Sequence, residues 1–140
     1  MGTQLRVAQI YEADPAKVRA MITDSGYISA RATVTGALSV KSSFSVQSDG
    51  TINLEIIRTL PSEMPAFAVA IVGDTLTVTE FQSWQPATPT GCTGDFRVEF
   101  SAPLTFSGVA NMTYDGQRTT VVTEGEFKAA IPFSAEKLRT

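Results

Sequence analysis

Four residues that could do chemistry fall on two neighbouring segments with the alternating pattern of β-strands. In DTLTVTEFQSW the register of Val78 continues as Glu80, Gln82 and Trp84, and side chains two residues apart share one face of a strand. In INLEIIRTL the same alternation carries an apolar register to Arg58. An unpaired buried carboxylate is heavily penalised, and a guanidinium can satisfy it with two parallel hydrogen bonds. We therefore expect Arg58 and Glu80 to pair if the two strands are neighbours.

This polar group allows three interpretations. The first is a structural ion pair near the open end of a sheet, and the second is a register slip that turns both charges to solvent. The third is a set of ligand contacts at one end of an apolar pocket, in which Gln82 adds an amide and Trp84 a flat wall. In an enzyme of the cyclase or hydratase type, Glu80 would act as general acid or base, and Arg58 would stabilise developing negative charge.

Composition excludes several other kinds of chemistry. The chain has no histidine and a single cysteine, so it cannot build Ser-His or Cys-His catalysis, and the usual zinc sites lack their ligands. We predict neither a metal nor a cofactor. Cys92 lies in the Gly- and Thr-rich segment TPTGCTGD and is predicted to be a small residue near a turn. The hydroxyls of Tyr11, Tyr27 and Tyr114 are available, but each suits an amphipathic residue at the edge of a core equally well.

Length and charge bound the class of protein. With 140 residues, of which 43% are hydrophobic, the chain is predicted to form a single domain over residues 1–140. Its net charge is −3 and its 11 basic residues are scattered singly, whereas nucleic-acid binding needs a clustered basic face. The N-terminal segment lacks the features of a signal peptide, and no stretch approaches the roughly 18 apolar residues of a membrane span. We expect a cytoplasmic protein without nucleic-acid partners or stable membrane insertion.

The N-terminal half predicts a strand, two short helices and a β-hairpin. Residues 3–11 form the predicted strand, after which Asp14 can cap a helix that begins at Pro15. A second short helix is predicted over residues 24–32. From residue 38 the apolar period changes to two, and an Asp-Gly turn between two alternating segments predicts a hairpin over residues 38–56.

The second half of the sequence repeats the two-residue period. A short helix is predicted at 66–72 in AFAVAIVG, and strands follow at 75–84, 94–101, 105–114 and 119–131. A tight turn is predicted at Asp115 to Gln117, and a helix is predicted to begin at Ser134. Most strands have one apolar face, which suits an antiparallel sheet curved over a core with its other face in water.

This order of elements resembles the helix-grip fold of the START-like superfamily (SRPBCC), which includes lipid-transfer domains, aromatic polyketide cyclases and ligand carriers of the plant-allergen type. Within it, the chain resembles the bacterial family of unknown function DUF2505. The segments that carry the resemblance are YEADPAKVRAMITD, RTLPSEMPAFAVAIVGDTLTVTEFQSW and GEFKAAIPF. The resemblance implies an α+β fold in which a curved antiparallel sheet of about seven strands encloses an apolar cavity. It also implies a long C-terminal helix, of which the sequence holds only a truncated first part.

We predict from this resemblance and the residues above that the protein binds or carries a small hydrophobic molecule or lipid. The polar contacts would be Arg58, Glu80, Gln82 and Trp84, and the predicted apolar lining is Leu54, Ile56, Val78, Phe96, Val98, Phe106 and Phe127. The alternatives are the cyclase- or hydratase-like enzyme and a protein-interaction module without a pocket ligand. An exposed apolar groove would mark such a module. Because the C-terminal helix is short, a homodimer through the concave face is also expected.

Overall fold

The computed structural model describes residues 3–61, 74–101 and 104–129. Its strands are β1 (Thr3–Tyr11), β2 (Ser39–Val46), β3 (Ile52–Pro61), β4 (Thr75–Trp84), β5 (Gly91–Phe100), β6 (Leu104–Tyr114) and β7 (Thr119–Ala129). They form one antiparallel sheet in the order β1-β7-β6-β5-β4-β3-β2. The predicted α+β class, with a curved seven-stranded sheet and two helices after the first strand, is confirmed. The helices predicted at 66–72 and from Ser134 lie outside the described residues.

Two capped helices connect β1 to β2. They are α1 (Pro15–Ile22) and α2 (Ser25–Val34), and the latter continues two residues beyond its predicted end. The carboxylates of Asp14 and Asp24 each accept a hydrogen bond from the backbone N–H three residues later, at 2.9 and 3.0 Å. These bonds satisfy amides that the first turn of a helix leaves free. Within the described ranges, no helix is long and apolar enough to cross a membrane.

The sheet has an apolar inner face, and both helices pack on it. Val18 of α1 packs against Trp84, and Ile28 of α2 packs against Leu54 and Ile56. The outer face is polar, and its partly buried aromatic residue Phe81 is covered by the guanidinium of Arg97, whose carbon lies 4.5 Å from the ring centre. The structure therefore follows the predicted pattern of one apolar and one solvated face.

Five of the seven side chains predicted to form the apolar lining are buried in the single chain. Leu54, Ile56, Val78, Val98 and Phe106 are between 2% and 9% exposed. The exposed apolar groove that would mark an interaction module is therefore not found over these described positions. The homodimer through this face stays a prediction.

Strand β5 begins earlier than predicted, which changes the position of Cys92. Residues 91–93 pair with residues 111–113 of β6, so the Gly- and Thr-rich segment continues the strand. Cys92 is the second residue of β5 and follows the bend at residues 89–90, so it lies near a turn as predicted but within a strand. Its side chain is 5% exposed and packs with Trp84 and Met112 on the inner face. Burial raises the pKa of the Cys92 thiol, which is the opposite of what an activated thiolate requires.

Candidate functional site

A cavity of about 430 Å³ lies between the two helices and the inner face of the sheet. Its apolar lining consists of Ile22, Ile28, Ala32, Ile56, Leu60, Phe96 and Val121. A second depression, of about 440 Å³, lies against the outer face, but all its lining residues come from β2 to β5, and no other element of the described ranges covers it. The cavity between the helices and the inner face of the sheet is therefore the candidate site.

Four side chains of β3 and β4 in this cavity form one hydrogen-bonded group, which we call the strand network: Arg58, Glu80, Gln82 and Trp84. The indole Nε1 of Trp84 donates to Oε1 of Gln82 at 2.8 Å. Nε2 of Gln82 donates to Oε2 of Glu80, and Nη1 of Arg58 donates to Oε1 of Glu80 at 2.9 Å. Both oxygens of the carboxylate therefore have a donor, and the predicted pairing of Arg58 with Glu80 is confirmed.

Strand geometry explains why these side chains meet. Glu80, Gln82 and Trp84 are two residues apart on β4 and share one face. Ile56 of β3 lies directly opposite Glu80, and Arg58 is two residues farther along β3, which is a diagonal distance that long side chains can span. Trp84 is 1% exposed and Gln82 8%, whereas the side chains of Glu80 and Arg58 are 13% and 24% exposed. The strand network thus runs from the core toward solvent.

Contacts from α1 and β5 hold the buried end of the strand network in place. Gly94 of β5 lies opposite Trp84, and a Cβ at this glycine would come within 2.6 Å of the indole ring. Only glycine therefore leaves room for that ring. From α1, Nη2 of Arg19 donates to the carbonyl oxygens of Gly50 at 2.7 Å and of Trp84 at 3.0 Å. These contacts position the indole whose N–H begins the strand network.

A second polar group lines the same cavity, and we call it the Tyr–Arg cluster: Tyr11, Tyr27 and Arg31. Nη1 of Arg31 donates to the hydroxyl of Tyr27 at 3.1 Å, and the hydroxyl of Tyr11 donates to Oε1 of Gln9 at 3.2 Å. Burial, reinforced by the neighbouring Tyr27, raises the pKa of Tyr11. The hydrogen bond to Tyr27 is the main reason that the pKa of Arg31 is raised. Arg31 is therefore charged and Tyr11 neutral at neutral pH.

The Tyr–Arg cluster is absent from the predicted site. Tyr27 and Arg31 are four residues apart on α2 and therefore neighbours on its surface, as are Ile28 and Ala32. All four of these residues line the cavity. The spacing is visible in the sequence, but it does not show which face of α2 turns toward the sheet.

The predicted site residues divide into those that line the cavity and those that pack elsewhere on the inner face. The lining includes Ile56, Arg58, Glu80, Gln82, Trp84 and Phe96. Leu54 belongs to a buried cluster with Ile28 and Ile56. Farther along the sheet, a separate cluster contains Val78, Val98, Phe106 and Phe127. In that cluster the ring centres of Phe106 and Phe127 are 4.8 Å apart, so these residues pack against each other and are not part of the cavity lining.

The arrangement is better suited to binding than to proton transfer. Both oxygens of Glu80 accept hydrogen bonds from within the strand network, so the carboxylate is not presented to the cavity as an open general base. The raised pKa of Tyr11 makes its phenol a weaker acid. In the part of the chain that the structure describes, no group of three or more His, Cys, Asp or Glu residues could hold a metal ion.

Comparison with known proteins identifies one matching family and a number of similar solved structures, among them two distant ones from Rhizobium species. The family model described as "Protein of unknown function (DUF2505)" matches residues 6–139. No curated protein matches the chain. The Mll3558 protein of Rhizobium loti has 14% identity and a TM-score of 0.49, over 99% of this chain and 89% of that chain. An uncharacterised protein of Rhizobium leguminosarum has 9% identity and a TM-score of 0.48 with the same coverage. Both structures are too distant to bear on the ligand.

Proposed function

The chain belongs to DUF2505, a family of unknown function, and we propose that it binds a small amphipathic molecule in the cavity between its two helices and the sheet. The observation that supports this function is the cavity itself. Its volume of about 430 Å³ lies within the range of about 300–1,000 Å³ that is usual for small-molecule sites. It combines an apolar lining with two separate polar groups.

This composition matches what small-molecule binding requires. Apolar contacts supply most of the affinity, and a few well-placed polar groups fix the orientation of the ligand. The strand network makes the floor of the cavity rigid, because its members bond to one another across β3 and β4. A preformed floor lowers the entropy that a ligand must lose on binding. The enzyme hypothesis has less support because Glu80 is engaged within the strand network.

A pair of alanines on one helix tests the proposal. Ala32 is 4% exposed and lines the cavity, whereas Ala30 is exposed on the same helix. We expect Ala32→Phe to fill the cavity and abolish the fluorescence enhancement of the neutral dye Nile red. The matched control Ala30→Phe should bind the dye as the wild type does. Equal dye binding by both variants would contradict a ligand site in this cavity.

A second pair of variants fills the same cavity from the sheet. It is needed because the added volume of Ala32→Phe beside a packed helix can cost about 1–3 kcal/mol of stability. Thr123 of β7 is half-buried and lines the cavity, whereas its neighbour Val122 is half-buried with its side chain on the outer face. Thr123→Phe should reduce dye binding and Val122→Phe should not, with circular dichroism confirming that both are folded. Native mass spectrometry of the freshly purified wild type, compared with its denatured mass, would then identify any retained ligand.

A further inference from the structure

We propose that the polar head of the ligand is a single carboxylate, and that Arg31 binds it together with the hydroxyls of Tyr27 and Tyr11. This inference rests on the proposed function, because it concerns the same cavity and adds the chemical class of the ligand. It assigns ligand recognition to the Tyr–Arg cluster and a structural role to the strand network.

The charge of the cavity is the first argument. Among the described lining residues, those with an acidic or basic side chain of the Asp, Glu, Lys or Arg type are Arg31, Arg58 and Glu80. Arg58 and Glu80 neutralise each other, and no carboxylate in the described ranges forms an ion pair with Arg31. One positive charge, that of Arg31, therefore remains unbalanced at the cavity of a protein whose net charge is −3. A positive charge next to an apolar cavity attracts and orients an anionic head group.

Unused hydrogen-bond donors are the second argument. The guanidinium of Arg31 makes one of its possible bonds to Tyr27, whose hydroxyl accepts this bond and keeps its own proton available. The hydroxyl of Tyr11 has one proton, which it donates to Oε1 of Gln9 over 3.2 Å, so a bound carboxylate would replace Gln9 as its acceptor. A carboxylate accepts hydrogen bonds and donates none, so it complements the free donors of Arg31 and Tyr27.

The surface of α2 supplies the third argument, because it presents a polar row and an apolar row side by side. Tyr27 and Arg31 form the polar row, and Ile28 and Ala32 form the apolar row, with members of each row four residues apart. Both rows line the cavity. A molecule whose head lies on the first row can place its apolar part on the second row and against Ile56 of the sheet.

The size of the charge favours a carboxylate over a phosphate monoester. A phosphate monoester carries about −1.5 to −2 charges at neutral pH, which Arg31 alone would leave partly uncompensated beside an apolar wall. A carboxylate carries one charge, and its planar shape matches the fork of a guanidinium with two parallel hydrogen bonds. The match in charge and shape points to an aliphatic or aromatic monocarboxylic acid.

Four amphiphiles with the same alkyl chain test this inference: decanoate, decanol, decyl phosphate and decyltrimethylammonium. Their affinities would be measured below micelle formation by displacement of Nile red. We expect decanoate to bind the wild type about tenfold or more tightly than decanol, because hydrogen bonds to charged groups are the stronger ones. Arg31→Gln should remove this preference, weakening decanoate about tenfold and changing decanol by less than about twofold.

The matched control is Arg97→Gln, since Arg97 lies on the outer face with a side chain that is 59% exposed. It should leave all four affinities unchanged. Tyr27→Phe should weaken decanoate by a smaller factor than Arg31→Gln does, and it should leave decanol unchanged. Thermal unfolding would confirm that each variant is folded.

The outcomes separate this inference from the proposed function. Equal affinities for decanoate and decanol, or a preference for the phosphate or the ammonium head, would overturn the carboxylate assignment while the cavity still binds amphiphiles. An equal loss of decanoate and decanol on Arg31→Gln would overturn the role of Arg31. If neither Nile red nor any amphiphile binds the wild type, the proposed function fails and this inference fails with it.

Discussion

The two polar groups that line the cavity use their hydrogen bonds differently. In the strand network, each bond joins one member to the next, from the indole of Trp84 to the guanidinium of Arg58. In the Tyr–Arg cluster, one hydrogen bond joins Arg31 to Tyr27. Arg31 itself is exposed to solvent. The strand network is therefore closed and mostly buried, whereas the cluster is open and partly solvated.

This difference shows that residue type alone does not identify a ligand contact. Buried polar groups have to be satisfied inside the protein, because an unpaired one costs the full desolvation penalty. A polar group that water reaches can keep donors free at little cost and exchange that water for a ligand. Substitutions in the strand network should therefore change stability, whereas substitutions in the Tyr–Arg cluster should change binding.

Glu80→Ala is the strongest way to break the strand network. It would leave Arg58 charged without a partner and Gln82 without its acceptor. Breaking a buried ion pair costs about 3–5 kcal/mol, and we expect about 3 kcal/mol here because the Arg58 side chain keeps 24% of its surface exposed. Urea unfolding would measure the free energy of unfolding.

The control for Glu80→Ala is an exposed ion pair of the same residue types. Glu99 lies 3.6 Å from Arg97, and its side chain is 50% exposed, so Glu99→Ala should cost less than about 1 kcal/mol. Replacing Arg58 by Leu together with Glu80 by Met should recover part of the loss, because no unpaired charge remains. A cost below about 1 kcal/mol for Glu80→Ala would mean that water satisfies Arg58 without its partner.

Gly94→Ala should disturb the strand network from the neighbouring strand β5, where Gly94 lies opposite Trp84. Its new Cβ would lie 2.6 Å from the Trp84 ring, and overpacking of this kind costs about 1–3 kcal/mol. The fluorescence of Trp84, the single tryptophan of the chain, should shift at the same time. In a Trp84→Phe background the cost of Gly94→Ala should fall, which a double-mutant cycle would detect as coupling between the two sites. Additive costs would show that the clash is relieved elsewhere.

Arg31→Gln tests whether a substitution in the Tyr–Arg cluster leaves the stability of the protein unchanged. Substitutions of exposed residues usually change stability by no more than about 0.5 kcal/mol. Arg31 is exposed, and its side chain makes one hydrogen bond to the residues that the structure describes, that to Tyr27. We expect a free energy of unfolding within that margin of the wild type, measured by urea unfolding in the absence of ligand. A loss comparable to that of Glu80→Ala would show that the cluster is structural as well.

The smallest expected effect is confined to alkaline pH. Burial is the main cause of the raised pKa of Tyr11, so the unfolded phenol ionises first as the pH rises past about 10. The native state then binds more protons, and the free energy of unfolding falls as the pH rises through the folded pKa. Tyr11→Phe should make this fall shallower while leaving stability near pH 8 almost unchanged.

Urea unfolding at several pH values between about 8 and 11 would measure this slope. Burial also raises the pKa of Cys92, so its thiol contributes a fall of the same sign from a lower pH. The comparison should therefore be made in a Cys92→Ala background. Identical slopes with Tyr11 and with Phe at this position would contradict the raised pKa of Tyr11.

Local patterns in the sequence were sufficient to predict most of the described elements and the pairing of Arg58 with Glu80. The predicted strand over residues 75–84 coincides with β4, and Asp14 and Pro15 begin α1 as predicted. Arg58 and Glu80 meet because two alternating strands follow each other in the sequence and pair in order. Such features depend on side-chain periodicity and on neighbours a few residues away, which a sequence displays directly.

The start of β5 illustrates where local patterns fail. A Gly- and Thr-rich segment is typical of a turn, but β6 supplies a pairing partner for residues 91–93 and turns Cys92 into the core. Gly94 likewise has a role that is visible only once Trp84 lies opposite it. Long-range pairing overrode the local preference in this segment.

The Tyr–Arg cluster was decided by the tertiary structure alone. Tyr11 comes from β1, an edge strand that pairs with β7 at the other end of the chain, whereas Tyr27 and Arg31 come from α2. The period of α2 shows that its residues share faces, but packing of Ile28 on Leu54 and Ile56 decides which face meets the sheet. The cavity is the space left between these elements, and its lining depends on their relative placement, which no local pattern encodes.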